Sequence, residues 1–99
     1  MEIRLTATFT NWLARLQDDR GRDRVIARLR RFELGNLGDV KPVGQGVSEA
    51  RIDYGPRYRL YFVRRGSVLL ILLCGGTKKT QASDIRSAQQ MARELSDDH

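Results

Sequence analysis

Apolar residues recur along this chain with two different periods, and the changes of period mark out its elements. Across residues 57–63, Arg-Tyr-Arg-Leu-Tyr-Phe-Val, the period is two. Tyr58, Leu60 and Phe62 therefore point one way, and Arg57, Arg59, Tyr61 and Val63 the other. This predicts a strand over 57–65 with one core face and one face of guanidinium groups and a phenol, the chemistry that holds a phosphate and a base. A strand over 47–53 precedes it and one over 68–74 follows, joined by the turns Tyr54-Gly55-Pro56 and Gly66-Ser67. Turn residues between such runs are the signal of antiparallel hairpins. The third strand, Val68 to Cys74, is apolar on both faces, which places it inside a sheet and not at its edge. Its length is far below the about 20 residues that a membrane helix needs. It runs into Gly75-Gly76-Thr77-Lys78-Lys79, which brings Lys78 and Lys79 close to Arg57 and Arg59.

Elsewhere the period is that of a helix. Ile3 and Leu5 alternate with Glu2 and Arg4 as a short first strand; then Phe9, Trp12, Leu13 and Leu16 form one apolar stripe. Thr8 is the expected N-cap of a helix through Gln17, broken by Asp18, Asp19 and Gly21. A second helix is expected over 23–34, with Val25, Ile26, Leu29 and Phe32 inward and Gly35 just past its end. Arg24, Arg28 and Arg31 occupy its remaining surface, as a solvated face or as an electrostatic footprint for RNA or an acidic partner. Residues 35–46 hold four glycines and Pro42, which predicts a loop, long enough to be functional or to cover the sheet. Gly44-Gln45-Gly46 lacks the strand and helix of a dinucleotide fingerprint. A last helix is expected over 84–95, with Thr80 or Ser83 as cap, Ile85, Ala88, Ala92 and Leu95 on one side, and a fraying polar tail after it.

Together these elements predict one domain over 1–99 of α+β class. It has a small, mostly antiparallel sheet in the order β-α-α-β-β-β-α, with the helices packed on one face. Its core is expected to join Ala50, Ile52, Tyr58, Leu60, Phe62 and the 68–74 strand to Phe9, Trp12, Leu16, Ile26, Leu29 and Phe32.

Charge adds a partner class to this picture. The net charge of +6 and pI near 10.2 suit a polyanion or an acidic protein. Of the 18 basic residues only Lys41, Lys78 and Lys79 are lysine. Arginine forks grip phosphate bidentately, although a GC-rich genome produces the same bias. The single Cys74 allows no internal disulfide and reads as a small buried hydrophobe. No apolar segment follows Met1-Glu2-Ile3-Arg4, so no signal peptide is expected, and the reading is cytoplasmic.

His99, the only histidine, lies in the tail, so histidine acid–base catalysis is not expected, nor is a metal site or cofactor. What remains is Arg51 and Asp53 on one strand, Arg57, Arg59 and Tyr61 on the next, and Lys78 and Lys79 after the third. Such a set suits charge stabilisation at a phosphate and metal-free cleavage of RNA by the neighbouring 2′-hydroxyl. It equally suits a strand face charged for solubility.

The run Glu49-Ala50-Arg51-Ile52-Asp53-Tyr54-Gly55-Pro56-Arg57-Tyr58-Arg59-Leu60-Tyr61-Phe62 resembles the E-x-R-I-x-x-G-x-G-Y-R-x-Y-F pattern of RelE/ParE-superfamily toxins. Gly75-Gly76-Thr77-Lys78-Lys79-Thr80-Gln81, with Asp84, Ile85 and Ala88, is similar to the G-G-D-K-x-x-Q-x-x-D-I-x-x-A segment of the HigB-like "addiction module killer" branch. The resemblance implies the toxin of a type II toxin–antitoxin pair, neutralised by an antitoxin from the same operon. It implies a metal-independent endoribonuclease that inhibits translation by cutting mRNA, free or on the ribosome. The same scaffold also serves ParE-like toxins that bind DNA gyrase, and it would serve a non-catalytic antitoxin-binding module. By the resemblance Arg59 faces the scissile phosphate and Lys78 is a second basic residue, with Arg51 near a basic pair. Arg51, Arg59, Tyr61 and Lys78 are therefore the candidate catalytic residues, and Arg57, Lys79 and Asp53 the candidate RNA contacts. The chain departs from the pattern at Arg57 (usually glycine) and Thr77 (usually aspartate). It also lacks a C-terminal catalytic tyrosine and the histidines of some HigB enzymes.

Overall fold

Residues 1–97 are described by the computed structural model; of the expected polar tail, Asp98 and His99 lie outside the described residues. The elements are β1 (Glu2–Leu5), α1 (Ala7–Arg15), α2 (Asp19–Glu33), β2 (Val40–Gly44), β3 (Val47–Arg51), β4 (Tyr58–Arg65) and β5 (Leu69–Thr77). A 3-10 turn, Lys78–Thr80, leads into α3 (Gln81–Asp97). The five strands form one sheet in the order β1-β5-β4-β3-β2. β5 lies inside the sheet, as its double-faced apolarity requires. The class is α+β, but the sheet is mixed, because β1 runs parallel to β5 while the other pairs are antiparallel.

The helices do not share one face, as the sequence led us to expect. On one side α1 and α2 lay Phe9, Val25, Leu29 and Phe32 over Leu60, Phe62, Leu70 and Leu72. The rings of Phe32 and Phe62 meet at 5.3 Å, a tilted pair worth about 0.5–1.5 kcal/mol beyond its buried area. Most of the expected core residues gather here, with Trp12 and Leu16 half-buried at its margin. Ile26 is only half-buried on α2, Val68 is exposed, and Leu73 and Cys74 of the 68–74 strand belong to the other side. On the other side α3 closes a second core of Val47, Tyr61, Val63, Leu73 and Cys74. Ala88 and Ala92 face that core, and their short side chains let the helix approach the sheet.

A β-bulge sets which side chains reach which core. Tyr61 pairs with Cys74 and Phe62 with Leu72, so Leu73 is an extra residue on β5. Alternation alone would put Cys74 beside Leu70 and Leu72; the bulge turns it to the α3 side. It also sends Gly75 under Trp12 and Gly76 under Asp84 and Thr80. A Cβ on Gly75 would come within 2.5 Å of the indole, so the glycine pair lets helices on both faces close on one strand end.

The residues expected to break the first helix instead start the second. Thr6, not Thr8, caps α1: its Oγ1 accepts from the Phe9 amide and donates to the Leu73 carbonyl. Asp18 caps α2, accepting the Gly21 amide at 3.0 Å and the Tyr58 hydroxyl at 2.8 Å. Gly21 is inside the helix because the Tyr58 ring lies 2.5 Å from where its Cβ would be. Gly35, with φ +87°, ends α2 as expected, its amide bonding Phe32 and that of Asn36 bonding Arg31. The expected 35–46 loop contains β2. Gln45 and Gly46, both with positive φ, form a two-residue hairpin turn into β3. Pro42 is tolerated because β2 is an edge strand with a register shift beside it.

Candidate functional site

The β3–β4 pair carries charge where it runs beyond the cover of α3. Arg51 and Arg59 are direct cross-strand partners on the Tyr61 side of the sheet. With Asp39, Asp53 and Arg57 they line a cleft of about 360 Å³. Three of the expected site residues in this cleft are therefore arginines, brought together by register and by the turn that reverses the chain between the strands.

Each arginine is held differently. Arg51 Nη2 donates to Asp39 Oδ1 at 2.8 Å. That hydrogen bond holds the Asp39 carboxyl below its ordinary range and raises the Arg51 guanidinium above its own. Arg57 stands in the turn with φ +60°, a left-handed backbone that an L-residue adopts at a cost of about 1–2 kcal/mol. The resembled pattern has glycine there. Arg59 is only 7% exposed, yet its guanidinium has no hydrogen-bond partner among the described residues, and its Nε is sealed from solvent. Arg51 Nε is likewise buried and unsatisfied. A buried donor without an acceptor costs about 1–3 kcal/mol, more when charged, so both guanidinium groups are held here at a cost to stability.

Below the cleft lies a polar cluster that the sequence reading missed. Glu49 is fully buried and two residues from Arg51 on the same face of β3. Its Oε2 accepts from the Tyr61 hydroxyl at 3.0 Å and from Gln81 Nε2 at 2.8 Å, while Oε1 has no partner. The spacing Glu49-Ala50-Arg51 was the available signal, because i and i+2 share a strand face. Glu49 also adds to the charge that favours the Arg51 guanidinium.

Tyr61 is the clearest correction. Expected on an exposed polar face, it is fully buried beneath α3 and does not line the cleft. Burial, with Glu49 accepting a hydrogen bond from its hydroxyl, pushes the phenol far above its ordinary range. The α3 stripe accounts for this: Ala88 and Ala92 needed an apolar partner, and the Tyr61–Val63 side of β4 supplies it. Lys78 lies next to Arg57, its amide bonding the Pro56 and Arg57 carbonyls at 3.3 and 3.0 Å. Its exposed side chain, and that of Lys79, lie outside the residues that line the cleft. Asp53 is exposed and lines it.

Arg28 also departs from expectation. It belongs neither to a solvated face nor to a footprint: it is 5% exposed and donates to the Leu37, Arg51 and Asp39 carbonyls at 2.9–3.0 Å. Burial and the nearby Arg31 lower its affinity for its proton. The side chain clamps the segment before β2 to the end of β3, which puts Asp39 within reach of Arg51.

No family model matches the chain. It is 45% identical over 95 residues to an uncharacterized protein of Haemophilus influenzae, a match covering 96% of each chain. The chain belongs to that protein's family. Because the match with the Haemophilus relative runs nearly end to end, it spans both cores and the cleft. Among the described residues no group of three or more His, Cys, Asp or Glu side chains could hold a metal ion, and no helix is long and apolar enough to cross a membrane.

Proposed function

We propose that this chain is a RelE/ParE-like toxin of the HigB-like branch, acting in the cytoplasm as a metal-independent endoribonuclease on mRNA. The observation that carries the reading is Arg59, a nearly buried guanidinium with no hydrogen bond among the described residues, in a cleft lined by three arginines. A scissile phosphate is the ligand that satisfies it. Arg59 and Arg51 bind the non-bridging oxygens and stabilise the charge that grows as phosphorus becomes pentacovalent. The RNA's own 2′-oxygen attacks, the bond to the 5′-oxygen breaks, and the products are a 2′,3′-cyclic phosphate and a 5′-hydroxyl. Asp53, the cleft carboxylate without an ion pair among the described residues, takes the 2′-hydroxyl proton. The leaving oxygen takes a proton from solvent or from the exposed Lys78, whose backbone adjoins Arg57. A cognate antitoxin silences the protein by covering this surface.

The test is to induce the wild type and Arg59→Met in cells, mapping mRNA 5′ ends and measuring DNA supercoiling together. The wild type is expected to cut mRNA, and Arg59→Met to cut about 10²–10³-fold more slowly, the scale on which one charge-stabilising donor acts. Intact mRNA with altered supercoiling would replace this reading with the gyrase-directed one. Equal cutting by both proteins would remove Arg59 from the site.

A further inference from the structure

A second cleft, larger than the one at Arg59, lies beside it. A groove of about 600 Å³ runs along α2, lined on the helix by Arg20, Arg24 and Arg31 and on the sheet side by Ile52 and Asp53. Arg28 forms its floor, with its guanidinium committed to backbone carbonyls. Arg20, Arg24 and Arg31 are exposed and form no salt bridge among the described residues, although Asp23 and Asp53 lie in the same groove. From Arg20 to Arg31 the helix extends ~16 Å.

Two features say what this groove takes. The Arg24 guanidinium, which lines the groove, lies 4.5 Å from the centre of the Tyr54 ring, so a cation and a π-surface are joined next to it. Such pairs stack nucleobases regardless of sequence. Asp53 lines both this groove and the Arg59 cleft, so the two are continuous at that residue. We infer that single-stranded RNA leaving the Arg59 cleft continues along α2, with Arg20, Arg24 and Arg31 on its phosphates and the Arg24–Tyr54 pair under a base. An acidic peptide would match the charge but has no use for the stacking pair or for continuity with a phosphate site.

This inference rests on the ribonuclease reading, and one titration separates the two. Binding of a 2′-O-methylated trinucleotide and of a 2′-O-methylated nonanucleotide is followed by fluorescence anisotropy against salt. The wild type is compared with Arg24→Gln/Arg31→Gln and with Tyr54→Leu. The wild type is expected to hold the nonanucleotide more tightly than the trinucleotide. The double variant should lose about tenfold on the nonanucleotide only, its log–log salt slope shrinking by about 1.4, the loss of two phosphate contacts to a single strand. Tyr54→Leu should weaken the nonanucleotide with its salt slope unchanged; it also keeps the test open should the double variant fail to fold. A nonanucleotide bound no more tightly than the trinucleotide, or unaffected by both variants, would overturn this inference and leave the Arg59 site standing. Neither oligonucleotide binding at all would overturn both. Polyglutamate displacing the nonanucleotide from the α2 groove at equal charge concentration would reassign the groove to an acidic protein.

Discussion

Arg57 shows how a single residue can trade stability for a site. Its left-handed backbone, φ +60°, is strained for any side chain, and its guanidinium lines the cleft beside Arg51 and Arg59. Arg57→Gly relieves the strain, offset in part by the greater freedom glycine gives the unfolded chain. We expect it to raise stability by about 1 kcal/mol in urea denaturation while weakening RNA binding; a variant that is less stable and binds as well would show that the arginine serves the fold. Arg59 follows the same logic. Arg59→Met keeps the length of the stem and removes a buried charge that has no hydrogen bond among the described residues, so the unliganded variant should melt no lower than the wild type in a thermal scan. The residue scale is also where the sequence was most misleading. The period of two placed Arg59 and Tyr61 on one face correctly, but a phenol and a guanidinium look equally polar in a sequence. Only the packing of α3 tells that Tyr61 is core and Arg59 is floor.

At the scale of elements, the hydrophobic pattern predicted every helix and all strands but one. β2 was hidden because a proline, a register shift and a glycine-rich turn erase alternation in so short an edge strand. The start of α2 was misplaced because Asp18 and Gly21 are turn residues in isolation. Here they are a cap and a contact surface, both defined by Tyr58 from 40 residues away. That cap has a pH signature. The Gly21 amide and then the Tyr58 hydroxyl hold the Asp18 carboxyl below its ordinary value of 3.8. A depressed folded value means that the unfolded chain binds the proton more readily. The cap's contribution is therefore complete above pH 3.8 and is lost as the pH falls through the lower folded value. Asp18→Asn, which still accepts through its amide oxygen, should show a shallower loss of stability on acidification below that pH; equal slopes would show that Asp18 does not titrate with folding. The bulge at Leu73 makes an independent prediction. Gly75→Ala drives a methyl group into Trp12 and should cost about 1–3 kcal/mol, typical of overpacking. Trp12→Leu in the same chain should recover part of that loss, whereas a cost unchanged by Trp12→Leu would mean that the indole is not what Gly75 accommodates.

Across the whole molecule, the two helical layers leave one region of the sheet to solvent, and charge collects there. Helices α1 and α2 seal one face and α3 seals the other as far as Tyr61 and Gly76. The end of the β3–β4 pair, with the turn and the polar side of α2, remains open and holds most of the arginines that line clefts. Composition alone could foresee a basic protein, but not that the excess of +6 is organised around two adjoining clefts, since that depends on the register of β3 with β4 and on the path of α2. On the proposed toxin reading, an antitoxin that covers this surface meets complementary charge, which speeds the encounter more than it deepens the final affinity. The association rate with the cognate antitoxin should fall steeply between low and physiological salt, by tenfold or more, as screening shortens the reach of the arginines to about 8 Å. The dissociation rate should change little over the same range, because the contacts that hold the complex are desolvated. Removing Arg24 and Arg31 charges should flatten the salt dependence without abolishing binding. An association rate indifferent to salt in the wild type would mean that the antitoxin is recruited by an apolar surface, such as the exposed side chains of Leu34 and Val68, and that the basic clefts face the substrate alone.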